Sequence, residues 1–162
     1  MSTATAAALE RARELAGAVP DPELPMITIG QLGILRGVRL AGEELVVTIT
    51  PTYSGCPALA AIEADLRRAL AGAGFADVRV ETVLAPAWST DDITLAGRRA
   101  LAEAGVSPPG PVRGAAEVPL GVRCPQCGSL ETVEFSRFGS TACTSLWRCR
   151  SCGEPFSRVK SF

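Results

Sequence analysis

Between residues 4 and 16 alanine and leucine gather on one side of a helical projection. Glu10, Arg11, Arg13 and Glu14 lie on the other, which predicts an amphipathic helix stopped by Gly17. VPDPELP, with three prolines in close succession, then forbids regular hydrogen bonding. The run MITIGQLGILRGVRL is apolar and β-branched, and EELVVTIT alternates between apolar and polar. With the turn residues of LAGEE between them, they predict a β-hairpin with strands near 34–40 and 44–50.

After TPTYSGCP, Leu59, Ile62, Leu66 and Leu70 recur at helical spacing until Gly72 and Gly74 end the pattern. DVRVETVL alternates Val78 and Val80 against charge, a third strand. Thr90, followed by Asp91 and Asp92, reads as the N-cap of a helix running through Glu103. The expected fold class is α+β: an α-β-β-α-β-α domain over residues 1–107 and then a small β zinc-ribbon domain. Residues 108–120, PPGPVRGAAEVPL, carry almost no large apolar side chain and read as a partly extended linker. Residues 121–162 are too few for a self-sufficient core, which calls for a metal, a disulfide or a partner.

Cysteine spacing supplies the metal. CPQCGS and CRSCGE are two C-x-x-C knuckles, so Cys124, Cys127, Cys149 and Cys152 can converge on one ion, each knuckle turned by the glycine that follows it. Zinc is favoured for such a structural site, with an iron-sulfur cluster as the alternative. Arg123, Arg148 and Arg150 flank the ligands and would offset the negative charge of a zinc held by four thiolates. Cys143 is left over, as a small buried residue of the ribbon or as a substitute or additional ligand.

Composition removes several function classes. The 162 residues include no histidine, which excludes the common base near neutral pH, Ser-His and Cys-His nucleophile pairs, and histidine-containing metal sites. Net charge is −1. The part from Arg123 onward has six basic and three acidic residues, a formal +3 that the metal site would reduce further. Nucleic acid is therefore not an expected partner. Neither is a membrane, because no window approaches the length of a span and the N-terminus lacks the basic start of a secretory signal. The expected location is the cytoplasm, where clustered cysteines more often bind metal than pair.

Cys56 needs a separate account. Pro57 suits the first position of a helix, which places Cys56 at the N-cap, where orphan N–H groups and the helix dipole lower a thiol's pKa and favour thiolate. Thr52, Tyr53 and Ser54 surround it with hydroxyls. A thiolate without histidine is suited to holding a soft metal transiently, and the plain alternative is a compact packed N-cap residue. Adjacent Asp91 and Asp92 fall on different helix faces and read as cap and dipole residues rather than an acid-base couple. Trp88 and Pro86 read as a lid on the core or as an exposed docking patch.

DPELP, LGILRGV, TPTYSGCP with its helix, VLAPAWSTDDIT, GRRALAEAGVSPP and the tail CPQCGS, FGSTAC and RCRSCGEPF together resemble the PaaD-type subunit of the phenylacetyl-CoA 1,2-epoxidase system, from about Val19 to Phe156. Its first domain is in turn similar to the domain shared by SufT-type and cytosolic iron-sulfur assembly proteins. The resemblance implies a non-catalytic accessory protein of aerobic phenylacetate degradation that helps to assemble or maintain iron centres, with the oxygenase and reductase subunits as partners. A stably bound structural subunit without metal-transfer chemistry is the alternative, and a homodimer is left open. The family's functional cysteine maps onto Cys56, as transient ligand for iron or an iron-sulfur cluster, and its acidic motif onto Asp21 and Glu23, with Thr52 and Ser54 in support. The chain departs from the family near its C-terminus, where VKSF has Ser161 in place of a further cysteine found in many members.

Overall fold

The structure, a computed structural model, describes residues 3–112 and 121–162. It divides into two compact units, Met1–Trp88 and Ser89–Phe162.

In the first unit the opening helix α1 spans Thr3–Gly17 and buries Ala12 and Ala16. A one-turn helix α2, Ile29–Leu32, then interrupts the stretch expected only to lead into a strand. Thr28 accepts a hydrogen bond from the backbone N–H of Gln31 at 3.2 Å, and the Gln31 side chain accepts one from the Thr28 N–H at 3.0 Å. This T-x-x-Q reciprocal cap is a local signal present in the sequence. Gly30 sits against Gly17 so closely that a Cβ on it would lie 2.8 Å from the Gly17 carbonyl oxygen.

The hairpin follows the expectation within a residue: β1 spans Leu35–Ala41 and β2 spans Glu44–Ile49, antiparallel. Leu45, Val46, Val47 and Ile49 make β2 the most buried strand of its sheet, because it is central. Helix α3, Leu59–Ala71, buries Ile62, Leu66 and Leu70 and returns the chain to β3, Val78–Thr82, which runs parallel to β2. Sheet order is β1-β2-β3. Trp88 is buried, and its indole N–H donates to the Leu32 carbonyl at 2.9 Å, so it is a lid on the core and the docking reading ends.

The second unit begins earlier than the expected boundary at 107/108. Thr90 is not a helix N-cap; Ser89 caps a short 3-10 turn, Thr90–Asp92, and Thr94 caps helix α4, Leu95–Glu103. Ile93 in extended conformation separates the two turns. After α4 comes β4, Val106–Ser107, which pairs parallel to β7, Pro155–Val159. With β5, Thr132–Ser136, and β6, Thr144–Cys149, the order is β4-β7-β6-β5. That pairing is why α4 and β4 group with the cysteine-rich segment. Of the expected linker, residues 108–112 are tied down by two hydrogen bonds, from Arg98 to the Pro109 carbonyl and from the Val112 N–H to Asp91; residues 113–120 lie outside the described residues. Among the described residues no helix is long and apolar enough to cross a membrane.

Candidate functional site

Both knuckles form as their spacing requires. Gly128 and Gly153 have φ of +75° and +81°, a region L side chains rarely adopt, and their N–H groups donate to the carbonyls of Cys124 and Cys149 at 2.9 and 3.0 Å. The β5–β6–β7 sheet carries the second knuckle, and the Cys124 N–H to Ser129 carbonyl bond, 2.9 Å, closes the first. The four Sγ atoms of Cys124, Cys127, Cys149 and Cys152 all lie within 4.8 Å of one another. Two of the separations are 3.8 Å, Cys124 to Cys152, and 3.6 Å, Cys127 to Cys149. An ion with metal–sulfur bonds of about 2.3 Å in tetrahedral geometry requires sulfur–sulfur edges of about 3.8 Å. The donor set therefore fits a four-thiolate ion. Cys124 and Cys149 are buried with Val122 and Phe156, while Cys127 and Cys152 face solvent.

Electrostatics within the cluster are uneven. The Cys152 N–H on the Cys149 sulfur, with the Ser151 N–H and the neighbouring thiols of Cys127 and Cys152, holds the Cys149 thiol down to about 6 against the opposing effect of burial. Cys152 is pushed up to about 12: the Glu154 N–H alone would lower it, but burial and the thiols of Cys127, Cys149 and Cys124 outweigh that. Four adjacent sulfurs cannot all carry charge without a cation among them, so one anion is favoured and its neighbours keep their protons.

Cys143 stands apart from this set. It is buried, and its sulfur lies 3.1 Å from the Thr141 hydroxyl, in keeping with the small packed residue rather than a further ligand.

Cys56 is half-buried on the loop between β2 and α3. It is not the N-cap of α3; that position belongs to Ala58, which has no side chain able to cap. The displacement comes from a preceding turn, in which the Leu59 N–H donates to the Cys56 carbonyl at 3.3 Å, so regular α bonding starts with Ile62 to Ala58. No hydrogen bond engages the Cys56 thiol among the described residues. The preceding residues build a cleft of ≈ 180 Å³ lined by Thr50, Thr52, Tyr53, Ser54 and Trp88. Cys56 is not part of its wall.

Asp21 has a structural occupation, and Glu23 takes part in it through its backbone N–H. Asp21 is buried, and one carboxylate oxygen accepts the N–H groups of Glu23 and Leu24 at 2.9 and 2.8 Å, closing the proline-rich loop whose ends meet at Pro20 and Thr28. Burial raises the Asp21 pKa despite those two bonds, and burial followed by the Asp21 charge raises that of Glu23. Among the described residues neither carboxylate has a hydrogen bond or ion pair to Cys56.

Comparison with known proteins finds one family match within each unit. The family described as "Iron-sulfur cluster assembly protein" matches residues 10–82, and the family described as "PaaD zinc beta ribbon domain" matches residues 108–160. A protein of Escherichia coli (strain K12), described as a putative subunit of 1,2-phenylacetyl-CoA epoxidase, is 48% identical over 142 residues, covering 88% of this chain and 86% of that one. A crystal structure of a domain of unknown function from Bacillus anthracis is 28% identical with a TM-score of 0.56, covering 60% of this chain and 94% of that one.

Proposed function

The chain belongs to the PaaD-type family of phenylacetyl-CoA epoxidase subunits, and on that premise we propose that it is a non-catalytic accessory protein of the epoxidase, assisting assembly or maintenance of its iron centres. The observation that carries the reading is the position of Cys56. It is half-exposed, its thiol has no hydrogen bond among the described residues, it lies on the turn that leads into α3, and it falls inside the segment that matches iron-sulfur cluster assembly proteins. Iron or an iron-sulfur cluster is here the cargo, held transiently by Cys56. Cys124, Cys127, Cys149 and Cys152 would hold a structural zinc, which supplies the cross-link that a short β unit needs. Asp21 and Glu23 shape the assembly domain from the loop they close, and Thr52 and Ser54 supply hydroxyls before Cys56. The oxygenase and reductase subunits are the clients.

The test is the metal and sulfide content of protein purified without oxygen, for the unaltered chain, Cys56→Ser and a Cys124→Ser/Cys127→Ser double variant. The reading expects about one zinc, lost only from the double variant. It also expects additional iron or sulfide that disappears in Cys56→Ser. One zinc with no cargo, unchanged by Cys56→Ser, would sink it.

A second reading is favoured because the relative is described as part of the epoxidase itself: a structural component that stays in the epoxidase complex without metal transfer. Stoichiometry separates the two. An equimolar complex that survives purification supports the structural component, and a substoichiometric requirement supports the assembly factor.

A further inference from the structure

Within the second unit lies a cavity of ≈ 470 Å³ whose walls include Pro108, Pro109, Val122, Arg123, Pro125 and Arg158. That volume is typical of small-molecule sites. The proline wall is fixed rather than loose. Arg98 donates to the Pro109 carbonyl at 2.6 Å and to the Thr90 carbonyl at 2.8 Å, and the Val112 N–H donates to Asp91 at 2.9 Å. On the opposite side Arg123 donates to the Gly128 carbonyl at 2.7 Å.

Among the described residues Arg158 carries the buried side-chain nitrogen that has no partner. Its guanidinium carbon stands 5.4 Å from the centroid of the Trp147 ring, which holds the plane of the head group in place. Its Nε is buried and has no hydrogen-bond partner. Among the described residues the side chain forms no hydrogen bond and no ion pair. Its Nη2 faces Gly110, where even an added methyl would stand 3.8 Å away. Burial pushes the guanidinium pKa down, partly offset by the charge of Glu134. The five N–H donors of a guanidinium lie in a rigid fork matched to a planar two-oxygen anion, and partial burial without an acceptor is costly. Among the described residues no carboxylate lies in the cavity wall.

We propose that this cavity binds a small organic carboxylate, with its apolar body against Pro108, Pro109, Val122 and Pro125 and its carboxylate on the guanidinium of Arg158. The site is independent of the cargo role of Cys56, since it does not use that thiol, although Cys124 of the metal cluster is part of the cavity wall.

Calorimetric titration of the full, zinc-loaded chain tests it with four probes: phenylacetate, which has both body and carboxylate; acetate, with the charge alone; benzyl alcohol, with the body alone; and phenyl phosphate. Phenylacetate is expected to bind saturably in the millimolar range or tighter, and acetate and benzyl alcohol roughly tenfold or more weakly. Arg158→Gln is expected to weaken phenylacetate about tenfold or more. Gly110→Leu, which fills the space in front of Arg158 Nη2 without removing the guanidinium, should abolish binding. Absence of saturable phenylacetate binding overturns the proposal, as does binding unaltered in both variants. Phenyl phosphate binding about tenfold tighter than phenylacetate would overturn the carboxylate in favour of a phosphate ester. Metal content reports whether each variant folds, and the probe series on the unaltered chain decides the matter should either variant lose its metal.

Discussion

The sulfurs of Cys127 and Cys149, 22 positions apart in the chain, lie 3.6 Å from each other across the two knuckles. Because Cys124 and Cys149 also form the core of this unit with Val122 and Phe156, the metal and the fold are coupled. Replacing Cys149 with serine should reduce bound zinc from about one per chain to near zero and remove the near-ultraviolet circular dichroism of Trp147. Atomic emission and circular dichroism check the pair of outcomes.

Zinc binding should release fewer than four protons at pH 7 to 8. Cys149, held down to about 6, is already ionised there, whereas Cys152, pushed up to about 12, must lose a proton as the metal arrives. Affinity should accordingly rise with pH. Calorimetry in buffers of different ionisation enthalpy counts the protons, and a release of four would contradict the uneven cluster.

Asp21→Ala should cost about 1–2 kcal/mol in urea unfolding, since the Glu23 and Leu24 N–H groups lose their acceptor. Asp21→Asn keeps an acceptor oxygen without a buried charge and should cost less. The pKa of Asp21 is raised in the native state above its ordinary 3.8. Between those two values the native chain binds more protons than the unfolded one, so this group's contribution to stability falls as pH rises through that window. Asp21→Asn should flatten that part of the stability profile.

Gly30→Ala should destabilise the first unit by about 2–3 kcal/mol, because its Cβ would meet the Gly17 carbonyl oxygen at 2.8 Å and the Gly17 Cα at 3.0 Å, both backbone atoms. Gly37→Ala, where an added Cβ meets nothing within 4 Å, is the control and should change stability by under about 1 kcal/mol. Denaturant midpoints of the two variants make the comparison.

Cys143→Ala should leave metal content unchanged and cost about 1 kcal/mol, through loss of a small buried side chain and its contact with Thr141. Loss of zinc from this variant would return Cys143 to the ligand set.

What the sequence determined by itself was whatever depends on short spacing. The period of Ile62, Leu66 and Leu70 marks α3, the alternation in EELVVTIT marks β2, and two C-x-x-C turns with their glycines bring thiols into reach of one another. Reciprocal capping by Thr28 and Gln31 was equally local, although the apolar run around it masked a four-residue helix. Thr90 and Cys56 look like caps on residue type, but a cap depends on where regular bonding begins, and in both places an extra turn shifts that point along the chain. Tertiary structure alone decided what depends on segments far apart. β4 joins β7 because a sheet edge accepts any strand that reaches it, which takes α4 into the second unit. Trp88 is buried because the Leu32 carbonyl, 56 positions away, receives its N–H. Nothing in the strand PFSRV distinguishes Arg158 from a solvated charge; it becomes a candidate binding group only where Trp147, Gly110 and the proline wall meet it.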